Sequence, residues 1–216
     1  MLINLLVGGP EAVLPSGFYE WAQTQPNWVG ADQGAVRLLA HGITPCLAVG
    51  DFDSSTAQEI AMVQQQIKRT VIDPQKDDIT DTEMALRYIR HYFPGVTQVN
   101  IFGATGARMD QLLANLLFVL KPEFEYFLDK VKLYDRNNTV SFYRPGQYTL
   151  VKEQGMKYLA FVPLTPVQGL ELPDEKYRLP KTDFLLPISL SSNEFIGDKG
   201  HFTFSRGVVA VIQSCD

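Results

Sequence analysis

The plainest chemical signal in the chain is the pair Asp51 and Asp53, set one residue apart in Val49-Gly50-Asp51-Phe52-Asp53-Ser54. They close a short apolar run, Cys46 to Val49, and alternate residues of an extended chain point the same way. Both carboxylates are therefore expected to face one spot, with Phe52 turned into packing and Gly50 letting backbone come close to a ligand. Two like charges so near raise each other's pKa unless a cation or strong donors stand between them. A divalent metal with oxygen ligands meets that need, and Mg2+ commonly takes one or two carboxylates, leaving its other positions to water and phosphate. The competing reading is a helix N-cap, in which Asp53 or Ser54 caps a helix starting near Ser55.

Further carboxylates recur at equivalent places. Asp32 follows the run Trp28 to Ala31, the group Asp77, Asp78 and Asp81 follows Arg69 to Asp73, and Asp110 follows Val99 to Phe102. Ligands of open α/β sheets bind beyond the carboxyl ends of the strands, where all of these acids are expected to fall. One or two of them would be helix caps, but seven at one edge call for something cationic, so a divalent-metal site is expected. The turn Gly103-Ala104-Thr105-Gly106-Ala107-Arg108 adds backbone N–H groups, a hydroxyl and a guanidinium, the parts of a phosphate clamp at a helix start. It is neither a Walker A loop nor GxGxxG, and a strand-to-helix turn often needs glycine for geometry alone. Lys76 is a second group that could neutralise phosphate, although a solvated loop lysine is the commoner role. With no Ser-His-Asp or Cys-His set in view, the chemistry rests on carboxylates, metal and positioning.

The elements that must hold these residues follow from the apolar pattern. Leu2 to Val7, Trp28 to Ala31, Cys46 to Val49, Arg69 to Asp73 and Val99 to Phe102 read as strands. Between them lie helical stretches at Phe18 to Gln23, Gln33 to His41, Ser55 to Lys68 and Thr82 to Tyr92. A last helix, Asp110 to Leu120, is apolar nearly all round and is expected to be deeply buried. Unbroken apolar strands alternating with helices signal a parallel sheet covered on both faces, a Rossmann-like α/β domain. From about Val131 the pattern becomes strand-like without helices: Val131 to Tyr134, Thr139 to Tyr143, Tyr148 to Val151, Tyr158 to Pro163, Phe202 to Phe204 and Val208 to Ile212. Turn pairs such as Pro145-Gly146 separate them, so an antiparallel β-sandwich is expected. The two domains are placed at 1–128 and 129–216.

Composition narrows the function. The 216 residues are 45% apolar, enough for a sizeable core, and the net charge of −5 excludes the Lys/Arg excess of a nucleic-acid or membrane-surface binder. Two cysteines, Cys46 and Cys215, form neither a disulfide framework nor a zinc spacing, so a reducing cytoplasm is the expected compartment. Met1 to Val7 is too short for a membrane span and lacks the flanks of a signal peptide.

At this point the motifs resemble those of a known family. Gly30-Ala31-Asp32-Gln33-Gly34-Ala35, Gly50-Asp51-Phe52-Asp53-Ser54, Asp78-Ile79-Thr80-Asp81 and Gly103 through Asp110 occur in the order and spacing of thiamine pyrophosphokinases. Ser191-Ser192-Asn193-Glu194-Phe195 is similar to the family's SNEF-like segment. The resemblance implies transfer of the pyrophosphoryl group of ATP to the hydroxyl of thiamine, giving thiamine diphosphate and AMP. It further implies an ATP- and Mg2+-binding catalytic domain, a thiamine-binding sandwich, and a homodimer with sites between subunits. By position, Asp51, Asp53, Asp78 and Asp81 resemble the metal and phosphate carboxylates, with Arg108 beside them in catalysis. Asp32, Gln33, Gly103, Thr105, Gly106, Arg108 and Asp110 resemble the ATP site, and Asp77, Ser191, Ser192 and Asn193 the thiamine side. Gln33 stands where the family usually has a second Gly, Gln111 where a His is common, and Asp77 where a longer side chain is frequent. A pyrophosphokinase for a pterin or other small alcohol, and a non-catalytic nucleotide-binding sensor, are the alternative readings.

Overall fold

The computed structural model describes residues 1–73 and 79–216. The chain forms two compact units, residues 1–125 with 133–136, and residues 126–132 with 137–216.

The first unit alternates strand and helix: β1 (Leu2–Leu6), α1 (Phe18–Ala22), β2 (Trp28–Ala31), α2 (Gln33–Ala40), β3 (Leu47–Gly50), α3 (Ala57–Gln66), β4 (Thr70–Ile72), α4 (Asp81–Tyr92), β5 (Gln98–Phe102) and α5 (Met109–Leu117). The strands run in the order β5-β1-β2-β3-β4, every pair parallel. Ile3, Leu5, Leu6, Val29, Leu47, Val49, Val99 and Ile101 are wholly buried, as strands covered on both faces require, and the two polar residues buried with them, Asn4 and Asn100, are hydrogen-bonded to each other at 3.1 Å. The chain steps outward from β1 to β4 and then returns to lay β5 on the other side of β1. The order therefore reverses between β1 and β5, and such a reversal opens a crevice beyond the strand ends.

Helix starts differ from the sequence expectation in an informative way. α3 is capped by Thr56, which exchanges hydrogen bonds with Glu59, and α4 by Thr80, which does the same with Glu83. Asp53 and Ser54 are thus not caps, and Asp81 is the first residue of its helix. The expected deep burial of the last helix is also wrong: Met109, Leu113 and Leu117 are 74%, 52% and 43% exposed. These side chains recur every fourth residue and form one outward stripe, while the buried position of α5 is Asn115. All-round apolarity signals burial only where another element covers every side.

In the second unit, β7 (Asn138–Tyr143), β8 (Gly146–Val151), β9 (Tyr158–Pro163), β10 (Val167–Leu172), β11 (Leu179–Phe184), β12 (Leu190–Glu194), β13 (Lys199–Phe204) and β14 (Val209–Ser214) follow a short β6 (Val131–Tyr134) divided between the units. They form two antiparallel arrays, β12-β9-β14-β7 and β11-β10-β13-β8. Leu159, Phe161, Val209 and Val211 of the first array pack with Leu170, Leu172, Phe202 and Phe204 of the second, making a β-sandwich. Three strands, β10, β11 and β12, are absent from the sequence expectation. β10 holds Gly169 in a left-handed conformation, β11 contains Pro180, and β12 slips register between Leu190 and Asn193. Each breaks the alternation by which a strand is recognised.

Candidate active site

Two glycine turns meet at the sheet's reversal point. Gly8-Gly9-Pro10 leaves β1 and Gly103-Ala104-Thr105-Gly106 leaves β5, and the Gly9 N–H donates to the Gly103 carbonyl at 3.0 Å. A side chain on Gly9 would place its Cβ 2.0 Å from that oxygen, so the contact requires glycine. Beside these turns lies a cavity of about 460 Å³, lined as well by Asp32, Gln33, Arg37, Ser54, Asp81, Thr82, Arg108, Gln111 and Asn115.

Asp32 links β2 to α2 at φ 48°, ψ −122°, a conformation costly for any residue with a side chain. It is held there by its N–H, which donates to Val49 O at 2.8 Å, and by its carbonyl, which accepts from Ala35 N at 2.9 Å. Gly50 makes the approach possible, since a Cβ there would stand 3.1 Å from Asp32 Cα. The Ser54 hydroxyl donates to Asp32 Oδ2 at 3.0 Å, and Gln33 Nε2 donates to Ser55 Oγ at 2.8 Å, tying the turn after β2 to the turn after β3. Oδ1 of Asp32 is buried and has no hydrogen-bond partner among the described residues. Burial, above all, raises the pKa of Asp32, and the negative charges of Asp51 and Asp53 add to the rise, while bonds from Ser54 and Gln33 oppose it.

The backbone that carries Asp51 and Asp53 follows a different path from the one the sequence suggests. β3 ends at Gly50, and Phe52 takes φ 54° as the chain turns, so the segment is not extended. Asp51 Oδ1 accepts the Asp53 N–H at 3.1 Å within this turn, and Phe52 is buried, as expected. The shared effect of the two acids is felt at Asp32. Asp81 lines the cavity from the first turn of α4. Lys76, Asp77 and Asp78 lie outside the described residues. Among the described residues, no three carboxylate, imidazole or thiolate side chains gather closely enough to hold a metal ion by themselves.

Thr105 lines the cavity, but its hydroxyl donates to Asp135 Oδ2 at 2.7 Å. Arg108 reaches Asp110 through Nε at 3.1 Å and Nη2 at 2.5 Å, so two residues expected to meet the nucleotide grip each other on the surface. That grip lowers the Asp110 pKa and raises that of Arg108. In the second unit, Ser191 and Ser192 are exposed and Ser192 takes φ 61°. Asn193 is buried: its Nδ2 donates to Tyr177 O, and its Oδ1 accepts from the N–H groups of Tyr177 and Glu194, all at 2.9 Å. Phe195 and Phe184 pack in the sandwich core, whereas Tyr177 is 59% exposed.

The cavity includes residues that the sequence reading passes over. Gly9, Arg37 and Asn115 line it because strand order brings the ends of β1, β2 and β5 together, and no local pattern encodes that order. Arg37 donates from Nη1 to Gly9 O and lies 3.4 Å from Glu11, bracing the first glycine turn.

The fold is that of an open α/β protein with a β-sandwich attached, and its cavity lies at the sheet's reversal point, where ligands of such folds commonly bind. Residues 18–128 match the family profile described as thiamin pyrophosphokinase, catalytic domain, and residues 147–209 the one described as thiamin pyrophosphokinase, vitamin B1 binding domain. The thiamine pyrophosphokinase of Bacillus subtilis is 33% identical over 216 residues, covering 99% of each chain. A thiamin pyrophosphokinase family protein of Enterococcus faecalis has a solved structure with TM-score 0.92 at 39% identity, and a protein from Lactobacillus plantarum one with TM-score 0.86 at 44%, both over the whole of each chain. The chain belongs to the thiamine pyrophosphokinase family, whose members are ATP-dependent pyrophosphoryl transferases.

Proposed function

We propose that this chain moves the pyrophosphoryl group of ATP onto the hydroxyl of thiamine, with residues 1–128 as the ATP- and Mg2+-binding catalytic domain and 129–216 as the thiamine-binding domain. The observation that carries the assignment of the site is the cavity at the reversal point, walled by two glycine turns and holding the strained, buried Asp32. Its volume of about 460 Å³ lies in the range of small-molecule sites. The backbone N–H groups of Gly103 to Gly106 cradle phosphate oxygens, and Arg108 exchanges its exposed partner Asp110 for phosphate.

The donor set suits Mg2+. Asp32 brings a buried oxygen without a partner among the described residues, and Asp51 and Asp53 direct negative charge at it. Hard oxygen donors of this kind, with Asp81 and Asp78, would hold the ion together with substrate phosphates. When bound, Mg2+ neutralises phosphate charge and draws electron density from the β-phosphorus. The thiamine hydroxyl oxygen gives up its proton to solvent and forms the new bond to the β-phosphorus as the bond from that phosphorus to the α,β-bridging oxygen breaks, and AMP departs with that oxygen. The chain contributes alignment and a fixed electrostatic field rather than a covalent step.

On the thiamine side, Ser191, Ser192 and Asp77 meet the substrate, and Tyr177 supplies an exposed aromatic face. Asn193 acts by holding Tyr177, since its side chain is taken up by backbone groups. The apolar stripe Met109, Leu113 and Leu117 supports a homodimer with sites between subunits, and no helix among the described residues is long and apolar enough to cross a membrane. With cysteines that are free rather than paired, the reading places the enzyme in the cytoplasm.

Incubation of the purified protein with Mg-ATP, with and without thiamine, tests the reading by chromatography of the products. Thiamine-dependent AMP in equal amount with thiamine diphosphate is expected. AMP formed only with a different alcohol would remove thiamine as the substrate, and no AMP with any alcohol would remove the transfer.

A further inference from the structure

Asn115 sits on the inward face of α5, one turn beyond Gln111, and both line the cavity. It is 4% exposed. Its Nδ2 donates to the carbonyl of Ala104 at 2.8 Å. A carbonyl only accepts, so this bond fixes which end of the amide is which and leaves Oδ1 as the other end. That oxygen is buried and has no hydrogen-bond partner among the described residues. A buried acceptor left unmatched is costly, and one held rigidly on a residue that lines a cavity favours a donor there.

We infer that Asn115 is a specificity-determining residue whose Oδ1 accepts a hydrogen bond from an N–H or O–H donor on the nucleoside of ATP, an inference that rests on the ATP reading of this cavity. The triphosphate at neutral pH offers only acceptors, so it cannot be the partner. The nucleoside carries three donor groups: the 6-amino group and the two ribose hydroxyls. An amide pinned through its nitrogen accepts from one of these and rejects a nucleotide that lacks it, because the site's own buried oxygen is then stranded. Asn115 thereby joins the two jobs of α5. Its nitrogen shapes the glycine turn through Ala104, and its oxygen reads the nucleoside.

The test is equilibrium binding by calorimetry, with Mg2+ present and thiamine absent so that no transfer occurs. The probes are ATP, purine riboside triphosphate (which lacks the 6-amino group), 2′-deoxy-ATP and 3′-deoxy-ATP, each against the wild type, Asn115→Leu and Asn115→Ser. One analogue is expected to bind the wild type about ten- to a hundred-fold more weakly than ATP. The purine arm or a deoxyribose arm then names the donor. In both variants that analogue and ATP should bind nearly alike, while the other two ratios keep their wild-type values. A wild type that binds all four nucleotides equally overturns the inference whether or not the variants fold. So do variants that weaken all four by one factor, which would leave Asn115 only a bracket for the turn. Failure of the transfer assay above would not imitate either result, since selectivity in binding is read without turnover.

Discussion

Replacing Asn193 with leucine keeps its volume and removes three hydrogen bonds at once: one donated to Tyr177 O and two accepted, from the N–H groups of Tyr177 and Glu194, each 2.9 Å long. A net value of about 1 kcal/mol for each bond makes the loss about 3 kcal/mol. For a chain of this size that corresponds to a fall in melting temperature of roughly 6–12 °C. The same bonds hold the exposed ring of Tyr177, and an aromatic contact is worth about 0.5–1.5 kcal/mol. The KM for thiamine should therefore rise roughly two- to ten-fold, with the KM for ATP unchanged. Thermal melting followed by far-ultraviolet circular dichroism reads the first effect, and steady-state kinetics with each substrate varied in turn reads the second. A melting point within about 2 °C of wild type would show that water replaces the lost bonds. Equal changes in both KM values would show that Asn193 does not act through the thiamine side.

Other perturbations probe the first unit and the sandwich. Gly50→Ala would set a Cβ 3.1 Å from the Asp32 backbone and displace it by a few tenths of an ångström; a stability loss of about 1–2 kcal/mol and a roughly ten-fold drop in kcat are expected. Unaltered turnover in this variant would argue that Asp32 need not be held so tightly. Asp51→Asn and Asp53→Asn should each lower kcat by roughly a hundred-fold or more, and near-normal turnover in either takes that residue out of the mechanism. Glu175 is wholly buried in the sandwich, and burial, with a smaller contribution from Asp174 and against the pull of His201, raises its pKa. A carboxyl whose folded pKa is raised contributes stability that is present below its unfolded pKa and lost as pH rises through the folded value. Glu175→Gln should remove that part of the pH dependence and melt higher than wild type at neutral pH; parallel melting curves against pH for the two proteins would contradict this.

The parallel sheet was legible because β2 and β3 are unbroken apolar runs, and β1 and β5 are apolar apart from Asn4, Gln98 and Asn100, with glycine or aspartate at or just past the end of each. The caps are encoded as well, by the Thr-x-x-Glu motif at Thr56-Ala57-Gln58-Glu59 and Thr80-Asp81-Thr82-Glu83. The turn at Phe52 was not, since a left-handed phenylalanine is stabilised by the pocket that buries it rather than by its neighbours in sequence. β11 and β12 were hidden by Pro180 and by a polar run. At the site, the acids were visible one by one, whereas Asn115 and Gly9 became visible only with the strand order that brings β1 beside β5.

The hydrogen bond from Thr105 to Asp135, together with that from the Arg136 N–H to Val13 O at 2.7 Å, bears on how the protein is made. Residues 133–136 belong to the first unit although residues 126–132 before them belong to the second. A ribosome that has synthesised every strand of the parallel sheet has still not supplied the partners of Thr105 and Val13. At about 5–20 residues per second those partners arrive on the order of seconds after the turn itself. The Gly103 to Gly106 turn is thus finished late, after the chain has entered the sandwich and come back. A fragment ending at residue 128 would lack both partners however well its sheet forms.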